Sequence, residues 1–381
     1  MKKILKKSYP VIIAVVITFV ITAMFTFIFT TAYNLRNVKE MKFKVIEGCL
    51  DTMYYGDYDK DKAMEHALKG YVASLGDPYT EYYTASEYKE FQTVVNSTYC
   101  GIGVSVQNDT EKNVIRVVDV FDKSPAKNAG IEANDIITKV NGTAYSGEQL
   151  DEAISKIKGE EGTTVNVTVL KHSTGTETEL TVKRENVVID TVESEIIDGN
   201  IGYIYISQFA NNTAGEFAEH LDLLSSKGIT GLIVDVRNNP GGTTLAVEAV
   251  ASCLLPKDSV IYYTSDKNNN KHYFTSKMDG IDIPLVVLAN ENSASASEIL
   301  VGAIKDNGRG TIVGTKTFGK GVVQTVMELD GGTALKVTIE RYYTPNGSYI
   351  HEKGIEPDYS VEIQDETDTQ LEKAIEILKN R

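Results

Sequence analysis

Two short runs built almost wholly from apolar residues limit this chain's fold more than any other feature. Gly231 to Val236 and Leu285 to Ala289 are too short for helices and rich in β-branched side chains, so each reads as a buried strand. Each runs into a turn of small and polar residues and then a helical pattern, Thr243 to Leu255 after the first and Ala294 to Ile304 after the second. The same order appears upstream, where the strand Ile201 to Ile206 precedes the helix Ala214 to Ser226, and downstream at the short strand Ile312-Val313. Strands alternating with helices indicate an α/β core. Gly321 to Leu329 and Thr333 to Glu340 then read as a β-hairpin around Asp330-Gly331-Gly332.

Ahead of this core the patterning changes twice. Residues 36 to 93 look helical and of mixed charge, with Val45, Ile46, Leu50 and Met53 recurring, and Ala63 to Leu75 ends in the stop and turn Gly76-Asp77-Pro78-Tyr79. From Thr98 short β segments take over: Ile102 to Val106, Val114 to Val118, Asp135 to Val140 entering the Asn141-Gly142 turn, Val165 to Leu170, and Glu179 to Lys183. The helix Leu150 to Ile157 lies among them. Residues 97 to 183 therefore have the makings of an independent β-rich domain. Thr369 to Leu378 is a short amphipathic helix. It and Met41 to Tyr54 present apolar faces without obvious partners, which points to self-association, a homodimer being one form, without setting a copy number.

The first 35 residues stand apart. Lys2, Lys3, Lys6 and Lys7 lead into Pro10 to Ala32, which holds no Asp, Glu, Lys or Arg. Roughly 23 residues at about 1.5 Å each reach about 34 Å, enough for a bilayer core. A signal peptide has a shorter apolar region and a small-residue cleavage site, for which only Thr30-Thr31-Ala32 is a weak candidate, so an uncleaved anchor is expected. Arg36, Lys39, Lys42 and Lys44 beyond the run blur the charge rule, but a first apolar helix before a long acidic body normally sends that body across the membrane. The formal net charge is −15 despite the four amino-terminal lysines. An acidic body argues against nucleic acid as a ligand, since neutralising phosphates needs a basic face. Cys49, Cys100 and Cys253 are widely spaced and the five histidines are scattered, so no metal site is expected.

The expected architecture is α+β and multidomain. Residues 1–35 form a cytoplasmic stub and membrane helix, 36–96 a small helical region, and 97–183 a β-rich domain set before and against an α/β core at 184–360. Residues 361–381 hold a C-terminal helix.

Within the core, Asn292-Ser293-Ala294-Ser295-Ala296-Ser297-Glu298 follows the strand Leu285 to Ala289. Ser295 and Glu298 have the spacing of a capping box, an ordinary structural explanation. The same geometry would serve a nucleophile, because a serine opening a helix points out of the turn and the Ala296 N–H beside it is free to stabilise an oxyanion. Upstream, Arg237-Asn238-Asn239-Pro240-Gly241-Gly242 supplies glycines that let backbone N–H groups approach a substrate carbonyl, or simply turn the chain. Downstream, Gly314 to Lys320 matches G-x-x-x-x-G-K but continues with Gly321 and a β-like segment. A phosphate loop needs Ser or Thr there and a helix next, so nucleotide binding is not expected. Burial of Lys320 among Phe318, Val322 and Val323 would lower its pKa and suit it to act as a base. Gly101-Ile102-Gly103-Val104 is a loop whose N–H groups could hold a carboxylate while a peptide adds to the next strand.

Taken together and in this order, these motifs resemble the carboxy-terminal processing peptidases, tail-specific serine proteases that carry a PDZ domain. Gly76-Asp77-Pro78-Tyr79-Thr80, Ser124-Pro125-Ala126, Asp135-Ile136-Ile137 and Val140-Asn141-Gly142 also fit, so the resemblance runs from about residue 40 to the end. Val322-Val323 stands where a Thr-Val pair is common in that family. The resemblance implies Ser295 as nucleophile, Lys320 as general base and Gln324 as the group orienting the lysine. It implies an oxyanion hole from the N–H groups of Ala296 and Gly241, with Gly242 the neighbouring candidate. A PDZ unit would capture substrate C-termini at Gly101, Ile102, Gly103 and Val104, and Arg184 is a candidate hinge contact for gating. The partners implied are proteins or peptides with exposed C-termini, the cofactor requirement none, and the setting the outer side of a bacterial cytoplasmic membrane, anchored through residues 10–32. The alternative is a non-catalytic PDZ scaffold, against which the intact Ser295, Lys320 and Gln324 set argues.

Overall fold

The computed structural model of this protein describes residues 18–19, 21–26, 38–121, 123–364 and 367–380. The chain divides into two units, residues 1–67 and 68–381. The expected membrane helix at 10–32 lies mostly outside the described residues. Among the described residues no helix is long and apolar enough to cross a membrane. In the first unit the helix Val38–Met53 exposes Met41, Val45, Ile46 and Leu50.

The second unit is built around a six-stranded sheet in the order Val192–Ile197, Ile201–Ile206, Gly231–Asp235, Leu285–Ala289, Thr311–Gly314, Tyr359–Ser360. The first pair is antiparallel and the remaining pairs are parallel. Leu232, Val234, Leu285 and Val287 point into a core shared with the helices Thr213–Ser226, Thr244–Leu254 and Ala296–Asp306. Ile233, Val286 and Leu288 point the other way, onto Ala374 and Leu378 of the helix Thr369–Lys379. Burial on both faces is why these strands read as continuous apolar runs instead of alternating ones. The expectation that the C-terminal helix shows an unpartnered apolar face is corrected: it covers this sheet.

A second, antiparallel sheet joins Glu81–Tyr83, Ala334–Tyr343, Val260–Asp266 and Lys271–Thr275, with Val322–Glu328 also paired to Ala334–Tyr343. The β-rich domain has its own sheet, Val104–Asp109, Val114–Val120, Ile136–Val140, Thr164–Leu170 and Glu177–Lys183, and its own core around Ile102, Ile115, Val117, Val167 and Ala153. Its entering segment Thr98–Gly101 and its leaving segment Glu185–Val188 pair with each other, antiparallel, from Thr98 opposite Val188 to Gly101 opposite Glu185.

Candidate active site

Three neighbouring strands of the core sheet deliver the site from their carboxyl ends, where open α/β sheets generally bind ligands. Gly231–Asp235 leads to the turn at 237–242, Leu285–Ala289 to the serine turn at 290–295, and Thr311–Gly314 to the segment at 315–321.

In the serine turn, Ser293 Oγ donates to Val236 O at 2.8 Å and Ser297 Oγ to Asn239 O at 2.9 Å, and both residues are buried. These two hydroxyls stitch the serine turn to the preceding one. Ser295, half-buried, has no such carbonyl acceptor among the described residues. Its backbone lies at φ 55°, ψ −111°, whereas a residue opening a helix normally sits in the extended region. A non-glycine residue in so sparsely populated a region costs about 1–3 kcal/mol and persists only where its surroundings over-determine it. The same sharp strand-to-helix bend presents the serine in nucleophile elbows.

The surroundings that hold Ser295 are identifiable. Gly241, at φ +99°, lies so close that an added Cβ would meet Ala294 O at 2.6 Å and Ser295 Cβ at 2.8 Å. Asn239, fully buried, anchors that turn: its Nδ2 donates to Ile206 O, and its Oδ1 accepts the Gly241 N–H at 2.9 Å. The Gly241 N–H is therefore already engaged. Gly242 forms a parallel bridge with Phe209 whose bonds run through Gly241 O and Thr243 N, so its own N–H takes no part. Arg237 clamps the start of the turn, with Asp235 on one side and Asp368 at the start of the C-terminal helix on the other.

Glu298 joins the serine turn to the lysine segment. Its carboxylate is fully buried; one oxygen accepts the N–H of Ser295 (2.9 Å) and of Lys320 (2.8 Å), the other the Thr317 hydroxyl and the Gly319 N–H (both 2.7 Å). Four donors satisfy the buried charge, as burial requires. Phe318 N–H adds a bond to Ser293 O at 3.1 Å. Ser295 and Lys320 are thereby neighbours through backbone, although Ser295 Oγ and Lys320 Nζ are not hydrogen-bonded to one another.

Lys320 Nζ instead lies over the ring of Tyr79, 4.8 Å from its centroid. Burial, then the charge of Lys336, pushes the Lys320 ammonium down from the ordinary lysine value, while Asp77 and Glu298 work the other way. The expected direction holds with different walls: Phe318 is 57% exposed, and Tyr79 supplies the face beside the amine. Gln324 lies at a bulge between Val323 and Gln324, and its Nε2 donates to Thr338 Oγ1 at 3.4 Å instead of touching the lysine.

In the β-rich domain, Gly103 sits at φ +80°, where an added Cβ would strike Ser124 Cβ at 2.3 Å, so the loop requires glycine. Ile102 is fully buried, and its carbonyl accepts the Ala126 N–H. A groove of about 280 Å³ opens beside Val104, lined by Tyr99, Val106, Phe121, Ile154 and Ile157. It runs between an exposed strand edge and a helix, the arrangement for strand addition. Arg184 is buried, and its guanidinium donates to Ile157 O, Lys156 O, Thr164 O and the Thr163 hydroxyl, all inside this domain. Here it fastens the helix end to the last strand.

Glu298, Asn239 and Tyr79 were not among the expected site residues. Glu298 had a visible signal, an acid inside the apolar helix run Ala296 to Ile304 with no basic neighbour. For Asn239 no local signal exists, because its partners come from a strand about thirty positions upstream and from its own turn.

The model of peptidase family S41 matches residues 200–361 and that of the PDZ domain residues 100–191. The carboxy-terminal processing protease CtpB of Bacillus subtilis is 36% identical over 316 residues, 82% of this chain and 65% of that protein. CtpA of the same organism is 36% identical over 313 residues, 82% of this chain and 66% of that protein. The chain thus spans about two thirds, slightly less, of the length of these relatives. Among solved structures, a photosystem II D1 C-terminal processing protease superposes with a TM-score of 0.51 at 30% identity, covering 88% of this chain and 90% of that one.

Proposed function

Because the chain belongs to peptidase family S41, we propose that it is a carboxy-terminal processing serine protease that selects substrates by their C-termini and cleaves them through Ser295 and Lys320. The single observation that carries the reading is the strained backbone of Ser295, pinned by Gly241 on one side and Glu298 on the other. A non-catalytic scaffold has no use for that strain.

In this mechanism neutral Lys320 removes the proton from Ser295 Oγ as the oxygen bonds to the scissile carbonyl carbon. The carbonyl oxygen takes the negative charge and is held by the Ala296 N–H and by the glycine turn, where Gly241 is the expected donor and Gly242 the one not already engaged. Collapse of the tetrahedral species breaks the C–N bond, and the proton on Lys320 passes to the leaving amine. Water, deprotonated by the same lysine, then hydrolyses the acyl-enzyme. Gln324 orients the lysine once the amine swings toward Ser295. The groove beside Val104 takes the substrate's terminal residues, with its carboxylate on the loop Gly101 to Val104. Residues 10–32 anchor the protein in a bacterial cytoplasmic membrane with residues 36–381 outside, where it acts on proteins with free C-termini, as a homodimer.

The test is cleavage of an unfolded protein by Ser295→Ala and Lys320→Ala variants whose circular dichroism matches the parent. Both are expected to be inactive. Full activity in either removes the dyad.

A further inference from the structure

The geometry points to Tyr79 as the positioning residue for Lys320: its ring face is the seat on which the amine rests, and the segment carrying it is tied by hydrogen bonds to Gln324. This rests on the reading of Lys320 as the base. Three independent features support it.

First, the amine has no hydrogen-bond partner among the described residues, and the Tyr79 ring is the group it faces at 4.8 Å. An ammonium over an aromatic face is attracted by the ring's quadrupole, more strongly where water is excluded. Second, the ring is held in place. Its edge meets His351 at 6.0 Å between centroids, and His351 Nδ1 accepts the N–H of Gly321, the residue after the lysine, at 3.3 Å. Beyond His351 the aromatic row continues through Tyr349 and Tyr343 to Tyr263. Third, the backbone under the ring is fixed to the other side of the site. Asp77 Oδ1 accepts the Tyr79 N–H at 3.0 Å, and Asp77 Oδ2 accepts the Thr80 hydroxyl. Thr80 Oγ1 accepts the Thr338 N–H at 3.0 Å, and the Thr338 hydroxyl accepts from Gln324 Nε2.

A chain of contacts thus runs from Gln324 through Thr338, Thr80 and Asp77 to Tyr79 and ends on the amine. The charged groups facing that amine are Lys336 from the adjacent strand, Asp77 from the Tyr79 segment and Glu298 from the serine helix. Two act for its charge and one against, and the ring adds to the side of the charge. Seating the amine on the ring holds it in one place until a substrate draws it toward Ser295.

The experiment titrates Lys320 directly, by heteronuclear NMR of its side chain in the Ser295→Ala protein, with and without Tyr79→Leu and Tyr79→Phe. Loss of the ring face is expected to lower the Lys320 midpoint by about half a pH unit in Tyr79→Leu. In the Ser295 protein, kcat for an unstructured peptide is expected to fall at least tenfold in Tyr79→Leu with KM changed less than twofold. Tyr79→Phe, which keeps the face, is expected to recover most of both. An unshifted midpoint in Tyr79→Leu, or a Phe variant as impaired as the Leu one, overturns the proposal. The titration needs no catalysis, so it stands apart from the dyad reading, which fails on its own if Lys320→Ala stays active.

Discussion

Ser295 and Lys320 donate their backbone N–H groups to the same oxygen, Glu298 Oε2, at 2.9 and 2.8 Å. The proposed nucleophile and base are therefore registered against one buried carboxylate, whatever their side chains do. Glu298→Gln keeps one acceptor oxygen but turns an NH2 group toward donors. Each buried group left without a partner costs about 1–3 kcal/mol. The expected outcome is a lower melting temperature and at least a tenfold loss of kcat. A variant with parental kcat would mean that the carboxylate only supports the fold.

Backbone strain at Ser295 separates two inactive variants. Ser295→Ala keeps the strained φ of 55°, while Ser295→Gly releases it because glycine is at home there. Both are expected to be inactive, but the glycine variant is expected to melt above the alanine one by a few degrees, about 1 kcal/mol for a chain of this size. Differential scanning calorimetry reads the order. Equal or reversed melting points would contradict the strain.

As the proposed base, Lys320 would set the pH dependence. A base works deprotonated, so activity is expected to rise with pH along a limb centred below the free lysine value of about 10.4. Its folded-state affinity for the proton is depressed by burial and by Lys336. Between the folded and unfolded midpoints the unfolded chain then binds more protons, so stability rises with pH across that window; below it the destabilising contribution is complete. Lys320→Met is accordingly expected to melt above the parent near neutral pH, with the gain shrinking as pH climbs toward the free lysine value. A gain that grows with pH would have the wrong sign.

For the groove beside Val104, the decisive group is the peptide's terminal carboxylate. A fluorescent peptide with a free C-terminus is expected to bind at least tenfold more tightly than its amidated twin, because a carboxylate is a stronger acceptor than the Tyr99 hydroxyl that the Gly103 and Val104 N–H groups now face. Gly103→Ala, which cannot avoid Ser124, is expected to erase the difference. Identical binding of the two peptides to the parent would move recognition elsewhere.

The buried strands were legible because Leu232 to Val236 and Leu285 to Ala289 are covered on both sides, which leaves an unbroken apolar signature. Val260–Asp266 and Lys271–Thr275 escaped notice. They pair through a bulge and carry their aromatics toward one another, so no clean alternation marks them. In the site, the serine cluster was visible, but the division of labour within it was not. That Ser293 and Ser297 bind carbonyls while Ser295 is left at the surface of the turn depends on partners nearly sixty positions upstream. The Tyr79 segment stood out as a motif, yet its contact with Lys320 joins two points 241 positions apart.

The β-rich domain leaves and rejoins the rest of the second unit at one spot, where Thr98 lies opposite Val188. An insertion whose two ends meet can be lifted out and another set in without rethreading the host. On the proposed reading, the part that selects a tail could therefore be exchanged as a cassette while the proposed catalytic turns stay in place.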